Sequence, residues 1–474
     1  MALFFTVLLL AWIPLLTGLR FPAKLDEATF HLPAIFGFSD AFPSLTEMNA
    51  SNLAMFALFH AVMGRIADAC GGDVAVLRAV TGLIALLGAA CFAACARRLG
   101  TIDWRAALLL LAAFPYFGAT YFVVMSEHPA FFCIWAAILG QIWFLQTRRA
   151  SALWLAGLAG LGAVFVRQNL IFLTLGFGIV LWLEQRRAAR RVPLMAYLPV
   201  ALPFAGLAFL LLTWSGLTPP GHQLDAHFLT GGPTTYLLSL VSVSANVGYY
   251  FVPFMPFILW RARGELSPQA LLAIAAFALL GLLLCVAVRG GNLINTYGTF
   301  AHVLDFVRRH IAGPASRLLL AAALASFGML VHLIGRSLRR AAAARSTQLL
   351  LVVLLGLGLI VVAFGVTRIY ERYILPLVAI AILLLLLALN GRPARQLRGI
   401  VYAVALFGAF HSLVYGVDVY ELAQWMERYR RSQTPLAPAG TQRLEVPPEA
   451  APAPRGLIVP GSESASCEVE ERLM

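Results

Sequence analysis

Long apolar runs separated by short polar connections set the pattern of this chain. A membrane-crossing helix takes about 20 mostly apolar residues. Runs of that kind recur at Leu3–Leu19, Leu77–Ala96, Ala106–Val124, Ala130–Leu145, Leu153–Phe165, Leu170–Leu183, Leu194–Thr213, Tyr236–Trp260, Ala270–Val288, Leu318–Ile334, Leu349–Val366, Tyr373–Leu389 and Ile400–Val414. They predict an all-α polytopic membrane protein with about thirteen transmembrane helices. The two runs flanking Arg167 are short, which predicts tilted or incompletely crossing helices. Three connections are longer than turns: Phe21–Leu77, Trp214–Thr235 and Arg289–Arg317. Within the first, Ser44 and Glu47 have the spacing of a capping box. Leu53, Phe56, His60, Met63 and Ala67 then recur at helical spacing, which predicts a helix lying in the membrane interface.

Charge gives the runs a direction. Every second connection carries arginines: Arg97 and Arg98, Arg148 and Arg149, Arg186 to Arg191, Arg261 and Arg263, Arg336 to Arg340, and Arg392 to Arg398. By the positive-inside rule these connections are cytoplasmic, so the N-terminus is inside and the first run is an uncleaved signal-anchor. The long connections then face outward, as for a binding or catalytic cavity. From about Gln433 the chain turns to Pro, Ala, Ser and Glu without periodicity, which predicts a disordered tail. The domain organisation is a membrane domain over 1–415, then a short surface helix and the tail over 416–474.

Composition agrees. Hydrophobic residues make up 61% and charged residues 12%, with a mean hydropathy of +0.83. A soluble chain of 474 residues would need far more charged surface. The net charge of +13 does not indicate nucleic acid, because the basic residues are scattered between apolar runs. All basic residues except Lys24 are arginine, a bias that reads as GC-rich bacterial coding. The six cysteines form no C-x-x-C pair and indicate neither a zinc site nor a disulfide framework. Asn49-Ala-Ser51 matches a glycosylation sequon, which means little in a bacterium.

The candidate chemistry gathers at the outer ends of the runs. Asp26-Glu27 lies just after the first run, close to His31. An ionised carboxylate there can take a proton from a hydroxyl, against the plainer reading of a solvated loop pair. Glu127-His128 sits in a short outer connection, where a polar helix end ahead of Pro129 is the competing reading. Arg167-Gln168-Asn169 interrupts an apolar stretch. Arginine near lipid is costly unless paired, and its planar fork suits phosphate. Arg368, Glu371 and Arg372 mark the outer entrance of a further run. They are read either as anion ligands or as a structural pair within the aromatic belt of Tyr370 and Tyr373. His222, Asp225 and His227 share one outer loop but fit no metal-ligand spacing, and His302 with Asp305 fares no better.

Asp-Glu-x-x-Phe-His-x-Pro from Asp26 to Pro33, Phe-x-Arg-Gln-Asn from Phe165 to Asn169, and Glu-Arg-Tyr-x-x-Pro from Glu371 to Pro376 occur in this order on one membrane side. With the outer acids and the long outer loops, they resemble the GT-C class of membrane glycosyltransferases. More narrowly, they are similar to the alpha-1,2-glucosyltransferases that use dolichyl-phosphate-glucose, in a bacterial form. The chain departs from the eukaryotic pattern at Ser126-Glu127, where that pattern has Thr-Asp, and at Asn169, which follows Gln168 directly.

The resemblance implies a GT-C-like bundle in the bacterial inner membrane with its active site outward. It implies inverting transfer of a hexose, glucose first, from a polyprenyl-phosphate donor to a glycan or lipid-linked acceptor. Asp26, with Glu27 beside it, is the implied catalytic base. Arg167, Arg368 and Arg372 are the implied donor-phosphate ligands. His31, Glu127, His128, Gln168, Asn169 and Glu371 are the implied substrate-orienting residues. No metal or other cofactor is implied; the partners are the donor, the acceptor and membrane lipids.

Two other functions compete. A transporter or flippase for a lipid-linked or anionic solute predicts ionisable residues deep in the spans. A structural subunit predicts no convergence of the outer acids and arginines.

Overall fold

A computed structural model of the chain describes residues 27–50, 53, 55–99, 103–121, 123–188, 197–215, 219–220, 233–255, 267–287, 296–297, 303, 307, 313–343, 352, 369–388, 398–411 and 424. The first apolar run, most of Leu349–Val366, the Pro219–His227 loop beyond Pro220 and the C-terminal tail lie outside them.

A π-helical turn at Glu27–His31 leads into three short helices, α1 (Leu32–Gly37), α2 (Leu45–Ala50) and α3 (Leu58–Ala69). Six more helices follow among the described residues: α4 (Val74–Arg98), α5 (Trp104–Ala112), α6 (Pro115–Thr120), α7 (Glu127–Thr147), α8 (Ala150–Val166) and α9 (Phe172–Ala188). Then come α10 (Leu198–Trp214), α11 (Pro233–Phe251), α12 (Pro268–Ala287), α13 (Gly313–Ala343), α14 (Glu371–Ala388) and α15 (Arg398–His411). Among the described residues, α4, α7 and the Gly313–Gly335 part of α13 are long and apolar enough to cross a membrane. The fold is a helical membrane bundle. Its only ladder among the described residues is parallel and two residues long, pairing Thr296 with Ile369 and Tyr297 with Tyr370 at the entrance to α14.

One run differs from its sequence reading. Ala106–Val124 is not a continuous span: α5 stops at Ala112, Phe114 is extended, and Pro115 opens the short α6. Pro115 lacks the N–H that would bond back into α5, so the chain restarts rather than continues.

Two polar layers cap the bundle. At one end Gln146 Nε2 donates to the carbonyl of Arg98 at 2.6 Å, and Arg98 Nη1 donates to Gln146 Oε1 at 3.1 Å. There too Arg148 pairs with Glu184, so α4, α7 and α9 end in one arginine-rich layer. The other layer begins at Glu127. From Glu127 to Gln146 along α7 is roughly 28 Å at 1.5 Å per residue, close to the thickness of a hydrocarbon core.

Between the layers the helices meet through small residues. A Cβ on Gly140 would lie 2.6 Å from the backbone nitrogen of Ala156, so α7 and α8 cross in backbone contact. Helix α14 is buried from Ile374 to Leu386 almost without interruption, against α5, α6, α7, α11 and α13. A helix apolar all round belongs inside a bundle, which explains why this stretch shows no amphipathic period.

The segment before α4 is ordered by its own sequence. The capping box forms: Ser44 N donates to Glu47 Oε2 at 2.6 Å and Glu47 N donates to Ser44 Oγ at 3.3 Å. These bonds hold the Glu47 carboxyl below its ordinary value. Helix α3 begins at Leu58, one turn later than the apolar spacing alone suggests, and buries Phe59, His60, Met63 and Ala67. Phe56 packs with Phe165 and Trp214, and Trp214 Nε1 donates to Asn49 Oδ1 at 2.8 Å. The segment is therefore docked on the arginine-poor ends of α8 and α10.

Helix α1 crosses α3 at Gly64, where a Cβ would sit 2.8 Å from the carbonyl oxygens of both Ile35 and Phe38. Gly64→Ala is expected to push α1 off α3 and cost about 1–3 kcal/mol, the usual range for overpacking. Faster proteolysis between α1 and α3, with the helical circular dichroism unchanged, is the measurement that checks it.

Candidate functional site

The arginine-poor ends of α4, α7 and α8 hold a buried polar cluster that ties separate segments of sequence together. Glu27 opens the π-helical turn and is fully buried. Arg78, in the second turn of α4, donates to it twice: Nε to Oε1 at 3.0 Å and Nη2 to Oε2 at 2.7 Å. The backbone N–H of Val124 also donates to Oε1, at 3.0 Å. Two parallel N–H···O bonds are the strong form of an arginine–carboxylate pair. With exposures of 2% and 0%, the pair is shielded from water. Both oxygens of Glu27 are thus occupied, and the side chain acts as a tie between the π-helical turn, α4 and the segment before α7.

Three residues beyond Val124, Glu127 enters the first turn of α7, where the helix dipole favours a carboxylate. It is ion-paired to Arg167, the residue that closes α8 in an extended conformation before a 3₁₀ turn over Gln168–Ile171. Arg167 Nη2 also reaches Ser126 Oγ at 3.4 Å. Helix α8 runs apolar to Val166, then breaks, which carries the guanidinium back over the start of α7. Beside it, His128 Nε2 lies 3.2 Å from Thr120 Oγ1. The Thr120 hydroxyl gives its one proton to the carbonyl of Tyr116 at 2.6 Å, so His128 is the donor to Thr120 and carries a proton on Nε2. Phe117 and Tyr121 present ring edges to the same imidazole.

The third element is a histidine couple. His31, at the N-cap of α1, and His60 on α3 meet through Nδ1 and Nε2 at 2.8 Å, with the two rings within 2° of coplanar. Leu32, Ile35, Phe59, Met63, Leu77 and Val124 form the apolar bed around it. Burial, with a further push from His31, holds His60 well below the usual histidine range, while the Glu127 charge pulls the other way. His60 therefore lies within electrostatic reach of Glu127.

Of the residues singled out in the sequence, Glu27, His31, Glu127, His128 and Arg167 belong to this cluster. Gln168 and Asn169 sit in the 3₁₀ turn beside it, with Asn169 exposed. Glu371 and Arg372 begin α14, which packs against α6, the helix that carries Thr120. Asp26 and Arg368 lie outside the described residues. Among the described residues, no group of three His, Cys, Asp or Glu side chains could hold a metal ion.

Three members were not singled out: Arg78, His60 and Thr120. Arg78 has a legible signal, since it stands at the end of an apolar run opposite Arg97 and Arg98, against the alternation of arginine-rich connections. His60 reads in the sequence as one position of an apolar stripe. Thr120 falls within an apolar run in which composition does not show the break at Pro115.

No family model matches this chain, and no curated protein matches it. Among solved structures, the chain is similar to the crystal structure of ArnT from Cupriavidus metallidurans bound to undecaprenyl phosphate, at 17% identity and a TM-score of 0.41, over 94% of this chain and 82% of that one.

Proposed function

We propose that this chain is a GT-C-class membrane glycosyltransferase, transferring a hexose from a polyprenyl-phosphate donor to a glycan or lipid-linked acceptor at the outer face of the bacterial inner membrane. Glucose is the sugar that its motifs favour. One observation carries the reading. Glu27 beside the candidate base, and Glu127 and Arg167 from two later segments, belong to one buried network at one end of the bundle, linked through residues 124–127. A structural subunit has no need to gather such residues, and a transport path would place them at mid-depth.

In this reading Asp26 takes the proton of the acceptor hydroxyl. The hydroxyl oxygen attacks the anomeric carbon as the bond from that carbon to the phosphate oxygen breaks, and the sugar inverts. The polyprenyl phosphate leaves with the negative charge. Arg372 and Arg368, with Arg167, stabilise that charge. Glu127 and Ser126 set the plane of the Arg167 guanidinium. The Glu27–Arg78 tie anchors the turn that follows Asp26.

The experiment supplies labelled polyprenyl-phosphate sugars to membranes containing the chain and looks for a glycosidic product. Arg372→Ala is expected to lower transfer at subsaturating donor by about tenfold or more, the worth of one charge-assisted hydrogen bond, at unchanged protein abundance. Equal loss of protein and activity would make Arg372 structural. Movement of the lipid across vesicles with no glycosidic bond formed would replace the whole reading with transport.

A further inference from the structure

We propose that the exposed face of α9 seats an anionic glycerophospholipid in the leaflet on the arginine-rich side, with Arg186 holding its phosphate and Ile179 and Leu175 lying along its chains. The site belongs to the layer opposite the buried polar cluster and stands independently of the glycosyltransferase reading.

Helix α9 has two unlike faces. Leu173, Phe177, Val180 and Leu181 are buried in the main core. Leu175, Ile179 and Trp182 are 47%, 42% and 48% exposed, and Arg186 is exposed after them. Steps of four, three and four residues put these four on one stripe of the helix. From Leu175 to Arg186 is roughly 16 Å at 1.5 Å per residue, about half of a hydrocarbon core. The stripe therefore spans one leaflet, and it changes along its length from aliphatic to aromatic to cationic. A phospholipid changes in the same order, from acyl chain through glycerol to phosphate. Tryptophan at the middle step sits where the aromatic belt of a membrane protein belongs.

Arg186 is set for an anion. Its guanidinium lies over the Trp182 ring, 4.1 Å from the ring centroid, well within cation–π range. Such a contact steadies the side chain while leaving its N–H donors for hydrogen bonds, and the planar fork matches two oxygens of a phosphate. Glu184, two residues earlier, is ion-paired to Arg148, and the Gln185 Oε1 accepts from Tyr197 Oη at 2.6 Å. Arg186 itself makes no ion pair among the described residues. The Arg148 pair also brings a second guanidinium to the same end of α9. The helix dipole gives no help, because a C-terminus repels anions; the arginines carry the attraction. A free phosphate would leave the aliphatic half of the stripe unused. A zwitterionic lipid brings its own cation beside the phosphate, so the anionic headgroup is the better partner.

The test reconstitutes the full chain in nanodiscs of equal phosphatidylglycerol and phosphatidylcholine and identifies the lipids it retains by native mass spectrometry. The wild type is expected to retain phosphatidylglycerol about fivefold over phosphatidylcholine, the worth of one basic group at an anionic surface. Arg186→Gln is expected to bring the two near parity. Trp182→Leu keeps the charge but removes the ring and is expected to lower the preference, which Trp182→Phe restores. Arg97→Gln removes another exposed arginine of the same layer and is expected to leave the preference as it was. Four results would overturn the proposal. Equal retention of the two lipids by the wild type would mean that no such seat exists. Arg97→Gln lowering the preference as far as Arg186→Gln would mean that only the summed charge of the layer acts. Loss of the bound lipid to millimolar inorganic phosphate would make the site one for a free anion. A polyprenyl phosphate retained ahead of phosphatidylglycerol, and lost in Arg186→Gln, would replace the phospholipid with an isoprenoid.

Discussion

Replacing Asp26 with Asn is expected to lower sugar transfer by about 10²–10⁴-fold, the usual contribution of a positioned general base, without reducing the amount of folded protein. The change is nearly isosteric and removes only the capacity to take a proton. The neighbouring carboxylate supplies the control. Glu27 has both oxygens engaged by Arg78 and one also by Val124, so Glu27→Gln is expected to act on stability and only through it on rate. Initial rates at saturating donor and acceptor, normalised to folded protein and paired with thermal unfolding in detergent, separate the two. If Asp26→Asn transfers sugar at the wild-type rate, Asp26 is not the base. If Asp26→Asn instead lowers the melting temperature as Glu27→Gln does, the pair is structural throughout.

The Asp-Glu pair also shows what the sequence carried and what it withheld. Hydrophobic runs and the Ser44–Glu47 capping box depend on near neighbours along the chain, and the described helices follow them, Ala106–Val124 excepted. The arginine-poor face could be read as the polar face because Glu27 and Glu127 fall in connections there and Arg167 interrupts an apolar stretch. Their partners could not be read. Arg78 reaches Glu27 across 51 residues and Val124 meets it across 97. No local period encodes such meetings; they depend on how the π-helical turn, α4 and the segment before α7 come together. Glu27 therefore looked equivalent to Asp26 in sequence, and its burial becomes visible only with Arg78 in place. The break between α5 and α6 is hidden for a related reason. Pro115 sits in a run apolar enough to span, and composition alone does not report the restart.

The second large effect is expected at Arg78. Arg78→Met is expected to destabilise the docked segment from Glu27 to Ala69 by about 3–5 kcal/mol, because it leaves a buried carboxylate without its countercharge. Methionine keeps much of the side-chain volume, so a cavity is not the cause. The segment would answer by drawing Glu27 out to water, which lifts the π-helical turn and separates His31 from His60. Protease cleavage between Gly37 and Leu45 should accelerate before the bundle itself melts, since α4, α7 and α8 keep their own contacts. The double variant Glu27→Leu with Arg78→Met then tests electrostatics against packing. With both charges gone, most of the loss should return. Recovery would be incomplete, because the Val124 N–H loses its acceptor and a buried unsatisfied donor costs about 1–3 kcal/mol. A double variant less stable than either single one would mean that the pair is held for shape. Single variants within about 1 kcal/mol of wild type, the range of an exposed ion pair, would mean that water reaches Glu27 and that the tie does not order the turn beside Asp26.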